Sequence, residues 1–427
     1  MSTPSSQRSP GPLSGFRVLE LTTTVAGPFC GRLLADFGAE VIKVEPPGGD
    51  DVRTMGLRSG GHSLYAGSIL RNKRLVALDL RRTEAQAAVR RMAARCDLVI
   101  ENFRPGRLEE WGLGYDALSA ANPALVLVRI SGYGQSGPCR ERPGYGVIME
   151  AVGGLRHLTG DPHRPPTRTA ISLTDYITGL YAAFGAVMAL HHARATGCGQ
   201  VIDAALYEGA FSFMEPHVPA YAALGAVPTR SGTRLPNNVP NNLYESAEGQ
   251  YLLIAAPAQA NFRRLCQVMG RPALADDPRF RTPAARARHE DALDAEIGAW
   301  TRSQPLEAAE AALHAAAIPA TRILTLADIF AHPHYRARGM LAELPHDGLG
   351  RITVPAVVPR LGGTPGALRW AGRQVGADTR AVLTSLAGCS DADVDALRAA
   401  GAAACAGEPD TAGSPGPAGD PVATGGA

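Results

Sequence analysis

The sequence predicts an α/β fold: a Rossmann-like large domain and a smaller α+β domain. Three observations carry the prediction. Near the N-terminus a strand, a glycine-containing turn, a helix and a second strand follow one another within residues 16–45, the signature of a βαβ unit. Strand and helix patterns then alternate to residue 130, as in a parallel sheet. From residue 222 the pattern gives way to a polar stretch, a hairpin and a run of helices.

Residues 1–13 are polar, rich in Ser, Pro and Gly, and expected to be a disordered leader without the apolar core of an export signal. Residues 16–22 form a buried strand, the turn Ala26-Gly27-Pro28-Phe29-Cys30-Gly31 opens a helix, and residues 39–45 form a second strand ending on Glu45. The turn lacks GxGxxG, so the usual mode of NAD binding is not supported. Glu45 stands where a dinucleotide enzyme would hold a ribose, a place where an ordinary surface carboxylate is also common. A third strand runs from Asn72 to Leu80, a helix from Thr83 to Ala94, and a fourth strand from Asp97 to Glu101. The loop Asn102-Phe103-Arg104-Pro105-Gly106-Arg107 combines an amide, a ring that can stack and cations that can meet phosphate. Residues 124–130 form a fifth strand that ends in the glycine-rich turn Ser131-Gly-Tyr-Gly-Gln-Ser-Gly-Pro138, at the carboxyl edge where α/β sheets bind ligands. A short helix is expected at 147–151, and residues 201–206 return to a strand. The stretch from Thr229 to Asn242 reads as a loop or linker, residues 243–255 as a hairpin around Glu248-Gly249, and helices dominate to His334. The expected boundaries are 14–221 for the first part of the large domain, 222–334 for the small domain, 335–401 for the return and 402–427 for a disordered tail.

The formal net charge is +2 and no basic block is present, so there is no electrostatic footprint for nucleic acid or an anionic membrane. Seven dispersed cysteines without metal spacing read as reduced thiols of a cytoplasmic protein, and no metal site is expected. Of the 42 basic residues only Lys43 and Lys73 are lysines. Both lie in motif-like segments, where a compact ammonium can have a local role that arginine does not fill.

Asp175 follows a Thr/Ile/Leu run that reads as a strand and precedes a long apolar helix. Such a junction suits a functional carboxylate, because a helix N-terminus stabilises an anion. It suits an ordinary N-cap equally well. Both readings stand at this level.

Six segments, taken together and in order, resemble the class III CoA-transferases, the family that includes formyl-CoA transferase, carnitine CoA-transferase and α-methylacyl-CoA racemase. They are Val25-Ala-Gly-Pro28, Gly38-Ala-Glu-Val-Ile-Lys-Val-Glu45, Asn72-Lys-Arg74, Val99-Ile-Glu-Asn-Phe-Arg-Pro-Gly106, Ser131 to Pro138, and Asp175 with Gly197-Cys-Gly-Gln-Val-Ile-Asp203. The resemblance implies a large domain built from both ends of the chain, an inserted small domain and an interlocked homodimer. It implies acyl-CoA and a carboxylic acid acceptor as substrates, with no tightly bound cofactor.

On that resemblance Asp175 is the catalytic nucleophile, forming an aspartyl mixed anhydride with the acyl group. Val25 and Ala26 fall beside the thioester, Leu78 and Arg81 near the adenine, and Asn102, Phe103 and Arg104 along the nucleotide. Arg142 is expected to meet a phosphate in place of a family lysine that falls on Pro143. Pro46, Glu110 and Gly146 also depart from the family pattern, as does Val25, where a glutamine is expected. The alternative is an isomerase of the family, an α-methylacyl-CoA racemase or an intramolecular CoA-transferase. Racemisation needs two opposed acid/base groups, and here Tyr145-Gly146 and Gln259 stand where a His-Asp pair and a Glu belong. Transfer is therefore the expected reaction.

Overall fold

The computed structural model describes residues 11–408, and the chain divides into two compact units. The first comprises the described residues up to Gly153, Ala170–Met214 and those from Gly339 onward. The second comprises Gly154–Thr169 and Glu215–Arg338.

The first unit is built on a seven-stranded sheet. Its parallel strands are β1 (Arg17–Leu21), β2 (Glu40–Glu45), β3 (Lys73–Leu78), β4 (Leu98–Glu101), β5 (Val126–Ser131) and β6 (Val201–Ala205). The two-residue β7 (Ala403–Ala404) adds an antiparallel edge to β3. The order is β7-β3-β2-β1-β4-β5-β6, so the winding reverses between β1 and β4. In sheets wound this way a crevice opens at the carboxyl ends of the strands where the order reverses.

Three helices position the site: α1 (Ala26–Asp36), α2 (Gly146–Val152) and α3 (Leu173–Thr196). Alternation along the strands sends Val18, Val41, Ile100 and Val128 to the face covered by α1 and α3. Leu19, Ile42, Val76 and Leu127 go to the other face, under the helices Thr83–Ala93, Thr379–Ser385 and Asp391–Ala399. Both faces are thus dry, which accounts for strands that read as nearly continuous apolar runs. Helix α3 has the length and apolarity of a membrane-crossing segment, but alanines 182, 183, 186, 189 and 193 on one side are buried in this core. Its other side exposes Leu180, Tyr181, Phe184, Val187 and Met188.

Three expectations need correction. Residues 11–13 do not belong to a disordered leader: Leu13 is buried and its N–H donates to the Phe37 carbonyl at 3.0 Å. Nor does disorder begin at 402. Ala402 is fully buried, its carbonyl accepts from Asp79, and the next two alanines pair with Leu78 and Ala77. A small-residue composition resembles a low-complexity tail, yet small side chains are what a sheet edge flanked by Leu397 and Val382 can accommodate. The rest of both expected disordered segments, residues 1–10 and 409–427, lies outside the described residues. Third, no strand precedes Asp175, because the position beside β5 is taken by β6 and leaves the Thr/Ile/Leu run without a partner.

In the second unit, Asn241–Glu245 and Tyr251–Ala255 form the hairpin expected around Glu248-Gly249, extended by Ala320–Arg322. Helices Gln259–Val268, Glu290–Arg302 and Leu306–Ala315 close over Phe262, Leu293 and Leu313. The fully buried Arg286 donates to the carbonyls of Val239, Pro257 and Phe280 and to Oε1 of Gln259.

Candidate active site

A cleft of about 250 Å³ opens at the carboxyl edge of β1, β4 and β5. Seven of the nine residues expected to form the site line it: Val25, Ala26, Asn102, Phe103, Arg104, Arg142 and Asp175. The other two, Leu78 and Arg81, line an adjoining recess that shares Thr23 and Phe103 with the cleft. Trp111, which the sequence reading passed over, walls that recess and meets Phe103 edge-on at 5.0 Å. Arg81 is bound on both sides by Asp79, at 2.8 and 2.9 Å. Arg104 and Arg142 are exposed, and Arg140, also in the cleft, pairs with Glu141 at 3.1 Å.

The floor of the cleft is the turn after β1, and three side chains hold it. Asn102 accepts from the Thr23 N–H at 2.9 Å and donates to the Thr23 carbonyl at 2.8 Å. Asp50 accepts from the Thr24 N–H at 2.9 Å. Lys43 donates to the Thr22 carbonyl at 2.6 Å. Thr24 is held at φ 70°, a conformation that β-branched residues rarely adopt. Its neighbours over-determine it, as strained positions at functional sites require.

Lys43 and Lys73 therefore act beneath the site and not in it. Both are fully buried and share one carboxylate, Glu20, at 3.3 and 2.6 Å respectively, while Lys43 also meets Asp50 at 2.7 Å. Burial alone would discharge both amines. For Lys43, burial is outweighed by Glu20 and Asp50 together, and its pKa is raised. For Lys73, whose one paired carboxylate is Glu20, burial wins with Lys43 adding to it, and the pKa drops to about 8. The group fits because α1 presents Gly31 to it: the Glu20 carboxylate fills the space a Cβ would take. Glu45 likewise is not an ordinary surface carboxylate, since it is buried and receives Arg53 at 2.7 Å through both Nε and Nη2. A second buried pair supports the loop after β4: Glu101 receives Arg129 at 2.7 Å and the Phe103 N–H at 2.7 Å. Burial raises the Glu101 pKa to about 7 in spite of that arginine.

Asp175 is the third residue of α3, behind an N-cap at Ser172, and so is not itself the cap. Close packing places it. One turn on, Gly179 lies against the Ala26 carbonyl and the Phe29 ring with no space for a Cβ, so α3 reaches the floor of the cleft backbone to backbone. Among the described residues the carboxylate meets no cation and no side-chain donor. Burial raises its pKa to about 6, against a smaller opposing effect of its own backbone N–H. At neutral pH it is mostly ionised, and more basic than an ordinary aspartate. Gly146, the first residue of α2, has no Cβ where the carboxylate sits. Gln259 belongs to the second unit and its amide is engaged by Arg286 at 2.9 Å. Among the described residues no group of three or more His, Cys, Asp or Glu is placed to hold a metal ion.

Residues 13–379 match the family described as CoA-transferase family III. The chain is 47% identical over 397 residues to the succinyl-CoA–D-citramalate CoA-transferase of Chloroflexus aurantiacus, covering 92% of this chain and 99% of that one. It is 40% identical over 396 residues to the succinyl-CoA–L-malate CoA-transferase beta subunit of the same organism, covering 91% and 97%. Among solved structures, a CAIB/BAIF family protein from Brucella suis superposes with a TM-score of 0.78 at 35% identity, covering 88% of this chain and all of that one.

Proposed function

The chain belongs to CoA-transferase family III, and from that premise we propose that it moves CoA from succinyl-CoA to a second carboxylic acid through an aspartyl mixed anhydride on Asp175. The observation that carries this reading is the state of Asp175: a half-buried carboxylate without counter-ion or side-chain donor, with its pKa raised by burial, in the cleft that holds the expected CoA residues. A carboxylate partly stripped of water and without a cation is a better nucleophile than one in a salt bridge.

Asp175 attacks the thioester carbonyl and CoA leaves as thiolate, giving the succinyl-aspartyl anhydride. The thiolate attacks the aspartyl carbonyl, so that succinate leaves and the enzyme carries CoA as a thioester. The acceptor carboxylate displaces CoA again, and the thiolate finally attacks the acceptor's carbonyl, returning Asp175 as a carboxylate. Backbone N–H groups around Gly132 and Gly144, which border the cleft, are candidates to stabilise the oxyanions. Arg104 and Arg142 are assigned to the phosphates, and the recess of Leu78, Arg81, Phe103 and Trp111 to the adenine. This Rossmann-like arrangement needs no bound cofactor.

A family racemase is disfavoured by the missing partner: residue 146 carries no side chain, and Gln259 is a neutral amide bonded to Arg286. We also infer a homodimer in which a second copy covers the apolar side of α3. Size-exclusion chromatography with light scattering tests it, and a monomer at micromolar concentration would refute it. For the chemistry, the protein is incubated with succinyl-CoA, treated with hydroxylamine and mapped by mass spectrometry. A hydroxamate on Asp175 is expected; transfer without an adduct on that residue would refute the nucleophile.

A further inference from the structure

The loop that carries Phe103 is tied at both ends to one guanidinium. Arg129 and Glu101 are register partners on β5 and β4, and their side chains are withdrawn from water, at 11% and 0% exposure. Nε of Arg129 donates to Oε1 of Glu101 at 2.7 Å, and Oε2 of the same carboxylate accepts from the Phe103 N–H at 2.7 Å. Nη1 and Nη2 of Arg129 donate to the two oxygens of Glu109 at 2.7 and 3.1 Å. Glu109 lies on the one-turn helix Arg107–Glu110, which Trp111 follows directly. The backbone bonds within the loop are local, from Arg107 to Arg104 at 3.1 Å and from Glu110 to Gly106 at 3.0 Å. They shape the turn without fixing its place beside the sheet, which falls to the buried Leu108, the Asn102 bonds to Thr23, and Arg129.

Phe103 and Trp111 meet edge-on at 5.0 Å and wall the recess of Leu78 and Arg81, whereas Arg129 lines neither that recess nor the cleft. Aromatic rings hold a base by stacking only where packing and hydrogen bonds lock them in place. A planar fork joins two carboxylates at fixed angles, which an ammonium does not do. Two carboxylates against one cation leave an excess negative charge, and its cost falls on Glu101, the buried one. Burial raises the Glu101 pKa to about 7; Arg129 and the Phe103 N–H oppose the rise, and Glu109 adds to it. Arg129 occupies Oε1, so a proton is accommodated on Oε2, where it displaces the Phe103 N–H. The Phe103 half of the tie is therefore present above pH 7 and lost below it, while the Glu109 half persists.

We propose that Arg129 is a positioning residue for CoA: through Glu101 and Glu109 it sets Phe103 and Trp111 as walls of the adenine recess, and so governs nucleotide affinity without touching nucleotide or thioester. The inference rests on the proposed assignment of that recess to the adenine. It predicts that the nucleotide part of CoA binding depends on the ionisation of Glu101, while the chemistry at Asp175 does not.

The test compares full-length wild type with Arg129→Met, Arg129→Lys, Glu101→Gln and Glu109→Gln. Exchange of labelled succinate is measured at pH 8 into succinyl-CoA and into succinyl-pantetheine, a thioester without the nucleotide. Arg129→Met and Glu101→Gln should raise KM for succinyl-CoA at least about fivefold, with kcat within about threefold, and leave KM for succinyl-pantetheine within about twofold. Arg129→Lys should recover part of the loss. Glu109→Gln, at a half-exposed position, should raise the same KM a few-fold and keeps the test open if Arg129→Met folds poorly. In the wild type the dissociation constant of free CoA should rise by up to about tenfold from pH 8 to pH 6, the limit for a single proton with a pKa of about 7. Glu101→Gln should remove that rise; the phosphates of CoA titrate in both proteins, so the difference between the profiles belongs to residue 101. Equal losses with both thioesters, no loss with either, or a Glu101→Gln protein that keeps the wild-type pH profile would overturn the proposal. Failure of the underlying reading has a separate signature: a wild type that uses the two thioesters equally well does not place the nucleotide in the recess, and the adenine assignment falls together with the proposal.

Discussion

The Asp175 carboxylate occupies the space in which residue 146 would carry its Cβ. Gly146 is therefore a positioning residue, and the site accepts no side chain there. Gly146→Ala should displace the carboxylate from the cleft. A misplacement of about 1 Å at a reacting group costs on the order of 100-fold in rate, so kcat should fall about 100-fold while CoA binds within a few-fold of wild type. Overpacking should reduce stability by about 1–3 kcal/mol. Steady-state kinetics and CoA titration check this, and an alanine variant with normal kcat would show that α2 can yield.

The raised pKa of Asp175 has opposite consequences for stability and activity. The folded value is about 6 and the ordinary value 3.8. Below 3.8 both states hold the proton; between the two values only the folded state does, so stability falls as pH rises through that window. The full cost of about 3 kcal/mol is reduced by partial exposure to about 1–3 kcal/mol. Asp175→Asn should therefore unfold at a higher temperature than wild type at pH 8, gain little near pH 3.5, and have no measurable turnover. In the wild type, kcat/KM should drop about tenfold per pH unit below pH 6. A structural aspartate would show the stability effect, which follows from burial alone, but neither the loss of turnover nor the pH profile of kcat/KM.

How far the site could be read in the sequence depends on how local each signal is. The βαβ opening and the carboxyl-edge loops were legible because strand alternation, helix length and glycine turns are short-range patterns. The Asn102 loop and the Ser131–Gly134 turn were placed for that reason, and the same holds for Asp175. The strand before Asp175 was misread because a β pattern does not state whether an edge is free. Glu20 was invisible: an isolated acid in a strand reads as solvent-facing, and only its parallel neighbour Lys43, with Gly31 above, makes it internal. The scarcity of lysine did point to Lys43 and Lys73, and the local role it indicated is a structural one, since both ammonium groups meet the buried Glu20.

The buried charges make a graded prediction. Lys43 joins Glu20, Asp50 and the Thr22 carbonyl, whereas Lys73 joins Glu20 and the Pro28 carbonyl. Removing one member leaves a partner charged and dry, at a typical cost of about 3–5 kcal/mol. Lys43→Met should lie at the upper end and also weaken CoA binding, because it releases the strained turn at Thr24. Lys73→Met should lie at the lower end, because one carboxylate offsets the burial of its amine where two offset that of Lys43, and should leave CoA affinity nearly intact. Urea denaturation with CoA titration separates the two. Equal losses in stability and affinity would mean that the group acts as a single unit.

Asn102 offers the most direct test of how the floor of the cleft is held. Its amide closes a two-bond clasp on Thr23, accepting from the N–H at 2.9 Å and donating to the carbonyl at 2.8 Å. No other residue type of that length supplies both an acceptor and a donor in one plane, and an aspartate would set an anion against the Thr23 carbonyl. Asn102→Ala leaves both backbone groups to water or to strain, at about 1–3 kcal/mol. The loss should fall on the loops that border CoA and not on the nucleophile. KM for the acyl-CoA should rise at least tenfold, with Asp175 still trapped by hydroxylamine at saturating substrate. Asn102→Asp should be worse than alanine, because repulsion is added to the lost donor. If the alanine variant instead lost the Asp175 adduct while binding CoA normally, the clasp would belong to the acyl end of the cleft and the assignment of Asn102 to the nucleotide would be wrong.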